Sequence, residues 1–272
     1  MKDDTVGLLE NPRTVVAAIA RRGLYEIGPP LATTIAALVI WEASIKFFQV
    51  PEILVPAPSS IVASLVRDAP LLARSSGFTL AIIGYGFALS AVLGIALALA
   101  LVRFPSVSRA TYPLVVLFQT VPKVALAPIF VIWFGFEITP KLLLIVVISF
   151  FPISLNMIAG LRAVDPNLLL LMRSVGCSKT ETLWRVMVPS ALPHLFAGLK
   201  IAVTFAVIGA IVAEFSGANR GLGYLIQFGS SQLQTPLVFS SLLVVSTIGV
   251  ALYYIVALVE RLAMPWSDSV GG

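Results

Sequence analysis

Residues 75–102 read SSGFTLAIIGYGFALSAVLGIALALALV, 28 residues without a charge, bounded by Arg74 and Arg103. A helix that crosses a bilayer needs about 20 predominantly apolar residues. Two further charge-free stretches meet that requirement: 142–161, 20 residues between Lys141 and Arg162, and 221–259, 39 residues between Arg220 and Glu260. The last is too long and too polar at its start for one helix. Gly229-Ser230-Ser231-Gln232-Leu233-Gln234-Thr235-Pro236 interrupts it, so its span is expected to begin near Pro236.

Composition says the same of the whole chain. Its 272 residues are 58% hydrophobic and 11% charged, with a mean hydropathy of +1.00. Soluble domains carry about 25% charged residues. A water-soluble enzyme, a disordered chain and a collagen-like fibre are all excluded on these grounds. The single cysteine, Cys177, permits neither an internal disulfide nor a zinc cluster, and any nucleophile–histidine–acid chemistry would have to use the single histidine, His194. With no paired intramembrane carboxylates either, an intramembrane enzyme is disfavoured. The net charge of +5 reads as cytoplasmic loop charge rather than a nucleic-acid patch. Asp3, Asp4 and Glu10 stand where a signal peptide would be basic, so no cleaved leader is expected.

Three further spans complete the pattern. Residues 31–48 are apolar around Glu42 and Lys46, which lie four apart and so on one helix face. Residues 110–134 contain Pro113, Pro122, Lys123 and Pro128, and residues 192–215 carry Lys200 near the start and Glu214 near the end. The expectation is an all-α polytopic protein of six transmembrane helices with both termini on one side. Its parts are a lead (1–30), a six-helix domain (31–264) and a tail (265–272). Within the lead, 12–24 reads as a short interfacial helix or a solvated tail. With the N-terminus in the cytoplasm, 12 of the 18 Lys and Arg lie inside, 5 outside and Lys123 mid-span, which favours that orientation. Small residues at every fourth position, Gly86, Ser90, Gly94 and Ala98 in one stripe and Ala202, Ala206 and Ala210 in another, point to a compact bundle.

Between spans four and five lies RAVDPNLLLLMRSVGCSKTETLWRVMVPSALP, residues 162–193. It is too charged to span a membrane and too apolar for a floppy loop. Asp165 is placed to cap a helix beginning at Pro166 and running through Leu168, Leu169 and Met172, with Gly176 as its stop. Ser178-Lys179-Thr180-Glu181 reads as a capping box that starts a second helix, with Leu183, Trp184 and Met187 as its apolar face. Pro189 is expected to end that helix and Pro193 to sit in the first turn of the next span. Such a helix–turn–helix either closes the cytoplasmic end or docks a soluble partner.

With these residues in place the sequence resembles the permease subunits of ATP-binding-cassette importers, in the nitrate/sulfonate/taurine-type branch. The family's cytoplasmic signature runs Glu-Ala-Ala, a Gly after three more residues, nine residues, then an Ile-x-Leu-Pro-like ending. Gly176 and Val186-Met187-Val188-Pro189 stand at the matching positions, whereas Leu170-Leu171-Met172 replace Glu-Ala-Ala. Across residues 41–266 the likeness continues in Trp41-Glu42, Val55-Pro56-Ala57-Pro58-Ser59, Val121-Pro122-Lys123, Trp133-Phe134-Gly135, Phe150-Phe151-Pro152-Ile153, Ala213-Glu214 and Gly221-Leu222-Gly223.

The resemblance implies a type I importer permease-like bundle in a bacterial inner membrane. A second permease copy, as a homodimer, would line the pathway with it. Two cytoplasmic ATPase subunits would dock beneath, and an extracytoplasmic substrate-binding protein would deliver the cargo; no nucleic acid is implied. The ATPase-coupling residues would be Ser174, Val175, Gly176, Cys177, Ser178, Lys179, Thr180, Glu181, Trp184 and Arg185. The chain has no Gly-x-x-x-x-Gly-Lys-Ser/Thr phosphate loop, so ATP and Mg belong to the partner ATPase and no cofactor is expected on this chain.

Polar groups at membrane depth are the candidates for a translocation path or gate: Gln119, Thr120, Lys123, Asn156, Thr204 and Glu214. Glu214 reads equally as a gate residue or as a structural partner of Lys46, Lys141 or Arg220. Lys123, between two prolines, is placed to attract an anion, to snorkel, or to pair with Glu137 or Glu214. The competing function is a secondary transporter independent of ATP, disfavoured by the lack of inverted-repeat symmetry. Substrates implied by the branch are nitrate, sulfonates such as taurine, aromatic carboxylates and nitrogen heterocycles. Residues 206–214 lean towards the heterocycle-type members.

Overall fold

The computed structural model describes residues 12–104, 110, 117–118 and 120–265, with side chains from residue 28 onward. All regular structure among these residues is helical. Helix α1 (Pro12–Phe47) leads into α2 (Pro58–Arg67) and α3 (Ala69–Arg103). A 3₁₀ turn (Lys123–Leu126) opens α4 (Ala127–Phe134), followed by α5 (Ile138–Arg162) and the short α6 (Pro166–Ser174). Helix α7 (Lys179–Gly217), α8 (Leu222–Ser231) and α9 (Thr235–Ala263) complete the described chain.

Among the described residues, five stretches are long and apolar enough to cross a membrane: Gly28–Phe47, Ala69–Arg103, Ile138–Arg162, Lys179–Gly217 and Thr235–Ala263. The expected third span falls partly outside the described residues. What is described of it is a shorter apolar piece, Lys123–Phe134, with Pro122 ahead of its 3₁₀ turn and Pro128 in the first turn of α4. The division at residue 30 is not a break in the backbone, since α1 runs through Pro29 and Pro30. Its described end is tied down locally: Glu42 pairs with Lys46 at 2.7 Å and accepts hydrogen bonds from the Ser59 N–H and hydroxyl. Between α2 and α3, Asp68 is held below the ordinary carboxylate range by its hydrogen bond from the adjacent Arg67 guanidinium.

Helix α5 lies at the centre, between α3 and α7, and small residues set that arrangement. A Cβ at Gly94 would lie 3.0 Å from the Ile153 Cβ and 3.1 Å from the Phe150 carbonyl of α5. On the other side, a Cβ at Gly198 would lie 2.9 Å from the Pro152 carbonyl. Ser90, Ala98, Ala202, Ala206 and Ala210 are fully buried along the same contacts. In lipid there is little hydrophobic force between helices, so close packing of this kind supplies much of the association energy. The outward faces stay apolar, with Val92, Val250, Tyr254 and Leu262 exposed. Lys200 of α7 and Glu260 of α9 add one polar tie at 2.8 Å, their side chains 25% and 6% exposed.

Two expectations about prolines are corrected. Pro189 does not end the second loop helix, and Pro193 is not in the first turn of a new one. Both lie inside α7, which is continuous from Lys179 to Gly217. Residues Leu183–Met187 form a π turn in which the Val188 N–H bonds to the Leu183 carbonyl. A proline clashes with the carbonyl four residues before it. The widened turn re-aims the carbonyls just upstream of Pro189, and the helix absorbs the proline instead of stopping.

Candidate functional site

The two ends of α7 carry the candidate chemistry. At its start, residues 162–193 fold as their punctuation requires. Asp165 accepts the Asn167 N–H at 2.8 Å and Pro166 fills the first turn, which starts α6. The helix closes in a Schellman motif, with the Gly176 N–H on the Arg173 carbonyl and the Cys177 N–H on the Met172 carbonyl, both at 3.0 Å. Gly176 has φ +79°, the left-handed conformation that this cap requires and that favours glycine. Ser178 and Glu181 form the reciprocal capping box: the Ser178 N–H reaches the Glu181 carboxylate at 2.9 Å, and the Glu181 N–H reaches the Ser178 hydroxyl at 3.2 Å.

Burial splits this segment into a root and a tip. Leu183 is 7% exposed and packs with Leu101 of α3, Leu161 of α5 and Leu195 of α7. Trp184, next to it, is 57% exposed. Ser174, Val175, Gly176, Ser178, Lys179, Thr180, Glu181 and Arg185 are exposed as well, and Cys177 is half-buried. Leu170 and Leu171, at the positions of the family's missing Glu-Ala, are each 57% exposed. The result is a braced protrusion with an apolar surface: Leu168, Leu170, Leu171, Val175 and Trp184. Exposed apolar patches of this kind occur at protein–protein and at membrane contact sites.

At the far end of α7, Glu214 is 1% exposed. Its carboxylate accepts a hydrogen bond from the Thr79 hydroxyl of α3 at 2.8 Å and from the Gly223 N–H at 2.6 Å. Thr79 in turn accepts the Leu222 N–H at 2.9 Å. One carboxylate and one hydroxyl therefore satisfy two N–H groups at the start of α8, where the helix dipole also favours negative charge. Gly221, at φ +110°, leaves no room for a side chain, because a Cβ there would run into the Glu214 carboxylate. None of the expected partners forms a salt bridge with Glu214, although Lys141 is near enough to interact with it electrostatically. Lys46 pairs with Glu42, Lys141 donates to the carbonyls of Phe136 and Glu137 at 2.7 Å, and Arg220 lies over the Phe78 ring.

The other described pathway candidates have mostly local contacts. Lys123 lies 5.0 Å from the centroid of the Phe151 ring. Thr120 donates to the Leu117 carbonyl, Asn156 to the Pro152 carbonyl, and the exposed Thr204 to the Ile201 carbonyl. Gln119 lies outside the described residues. Among the described residues no group of three or more His, Cys, Asp or Glu side chains is placed to hold a metal ion.

Residues 90–264 match a family described as the binding-protein-dependent transport system inner membrane component. The chain belongs to that family. It is the permease subunit of an ATP-binding-cassette importer, and ATP hydrolysis is the work of a separate partner chain. The permease is 40% identical over 243 residues to the formylaminopyrimidine transport permease protein ThiX of Halalkalibacterium halodurans, covering 89% of this chain and 97% of that one. It is 30% identical to the putative aliphatic sulfonates transport permease protein SsuC of Bacillus subtilis, over the full length of both. These relatives match the nitrate/sulfonate/taurine-type branch. In fold the permease is similar to a chain of the MetNI methionine ABC transporter, with a TM-score of 0.64 and 19% identity over 72% of this chain and 97% of that one.

Sequence reasoning missed three features of the permease: the partnership of Thr79 with Glu214, the π turn, and the burial of Leu183 beside an exposed Trp184. The first joins residues 135 apart and leaves no local pattern. The second depends on tertiary accommodation of Pro189. The third has no decisive sequence signal, because two adjacent apolar residues can both lie on one stripe of a helix, and only packing shows which of them is buried.

Proposed function

We propose that the braced protrusion at residues 162–193 is where the cytoplasmic ATPase grips this permease. We place both termini in the cytoplasm and pair two copies of the chain as a homodimer around one pathway. The observation that carries this reading is the split between Leu183 and Trp184: one side chain roots the segment in the bundle and its neighbour faces outward. A partner that pushes on the exposed tip therefore pushes on α7 itself. Two ATPase subunits bind and hydrolyse ATP with Mg, and this chain contributes the docking helix, not a nucleotide site. An extracytoplasmic substrate-binding protein meets the opposite face.

The cargo we assign is a small nitrogen heterocycle of the pyrimidine class. The 40% identity to a relative named for formylaminopyrimidine supports it, as does the composition of residues 206–214. Uptake of labelled pyrimidine, sulfonate and nitrate by vesicles holding the full complex tests the assignment. Preferential uptake of the pyrimidine is expected, and equal or better uptake of sulfonate or nitrate overturns it.

A further inference from the structure

At the far end of α7 from the coupling segment, two adjoining hollows of about 700 and 570 Å³ share Phe78, Asn219 and Arg220. Arg74 lines the smaller, and Lys141 and Glu137 line the larger. Arg74 and Arg220 are exposed, and neither forms a salt bridge with any described carboxylate. Arg220 is held with its guanidinium 4.8 Å from the centroid of the Phe78 ring, a cation–π contact that fixes its place and leaves its edge donors open. Three cations and one acid, Glu137, line the two hollows, Glu137 on the larger only. The buried Glu214 carboxylate lies behind and interacts with Lys141, not with Arg74 or Arg220.

We infer that Arg74 and Arg220, which line the smaller hollow together with Phe78, form a docking point for paired carboxylates on the rim of the extracytoplasmic binding protein. The inference rests on the orientation proposed above, which puts this end outside. Two positioned guanidiniums recognise carboxylates in fork geometry, and their charge steers an acidic surface to the site. The point is also wired into the fold. Arg220 precedes Gly221, whose missing side chain makes room for the Glu214 carboxylate, and Gly223 is bonded to that carboxylate. A pull on Arg220 is thus delivered to α7, a helix of 39 residues and about 57 Å, whose other end is the coupling segment.

The test uses the permease–ATPase complex in nanodiscs and the purified binding protein encoded with it. The double variant Arg74→Glu/Arg220→Glu is expected to weaken binding by about tenfold or more, with a flatter dependence on salt. Basal ATPase activity without binding protein is expected to stay at the wild-type level. Arg74→Gln and Arg220→Gln, which remove charge without reversing it, are each expected to give a smaller loss in the same direction. Wild-type affinity and salt dependence in a folded double variant would overturn the inference alone. Failure of the wild-type complex to bind any binding protein would overturn the arrangement on which it rests.

Discussion

Glu214 in α7 and Thr79 in α3 are joined by a 2.8 Å hydrogen bond across 135 residues of sequence, and the same pair holds the first two N–H groups of α8. A buried donor left without its acceptor costs about 1–3 kcal/mol. Thr79→Val strands both the Leu222 N–H and one carboxylate oxygen, so thermal unfolding in detergent is expected to fall by that order, with Thr79→Ser close to wild type.

The same geometry separates two roles for the carboxylate. Glu214→Gln keeps an acceptor oxygen for the latch, so transport per folded molecule is expected near the wild-type rate, whereas Glu214→Ala is expected to lose folded protein. A fully expressed, folded Gln variant that does not transport would place the charge itself in the pathway.

Gly176 gives a sharper discrimination. Its φ is +79° and no atom outside the local backbone lies within 4 Å of where a Cβ would be, so only backbone conformation restricts the position. A β-branched residue in the left-handed region costs about 1–2 kcal/mol, and asparagine much less. Gly176→Val is expected to lower ATPase capture and uncouple uptake from hydrolysis, and Gly176→Asn to retain both. Normal coupled uptake by the Val variant would count against the docking role.

Lys200 and Glu260 tie α7 to α9 at 2.8 Å. Removing one member of a buried ion pair costs about 3–5 kcal/mol, because the other charge stays buried, while replacing both is often neutral. Lys200→Met is therefore expected to be less stable than Lys200→Met/Glu260→Gln in the same thermal assay. Equal stability would show that solvent reaches the pair.

The parts of this fold that could be read from sequence are those set by local chemistry. Asp165-Pro166, Gly176 and Ser178 to Glu181 each act within one turn, and the structure places every cap at the residue that announced it. The long apolar stretches were equally plain, because lipid demands internal satisfaction of the backbone over a fixed length. Pro189 was misread because its usual effect presumes a regular upstream turn, and the π turn at Leu183–Met187 removes that premise. Glu214 was ambiguous because charge alone does not say what faces it. Its hydrogen-bond partners are a distant hydroxyl and a backbone N–H, neither of which carries a charge to match.

The most direct measurement for the coupling segment is site-specific cross-linking in native membranes. In a Cys177→Ser background, Val175→Cys and Trp184→Cys place single thiols on the exposed tip. Cross-links from both positions to the ATPase are expected, together with protection from membrane-impermeant thiol reagents added outside. Labelling of either thiol from the exterior, or absence of any ATPase adduct in an actively transporting complex, would contradict the account.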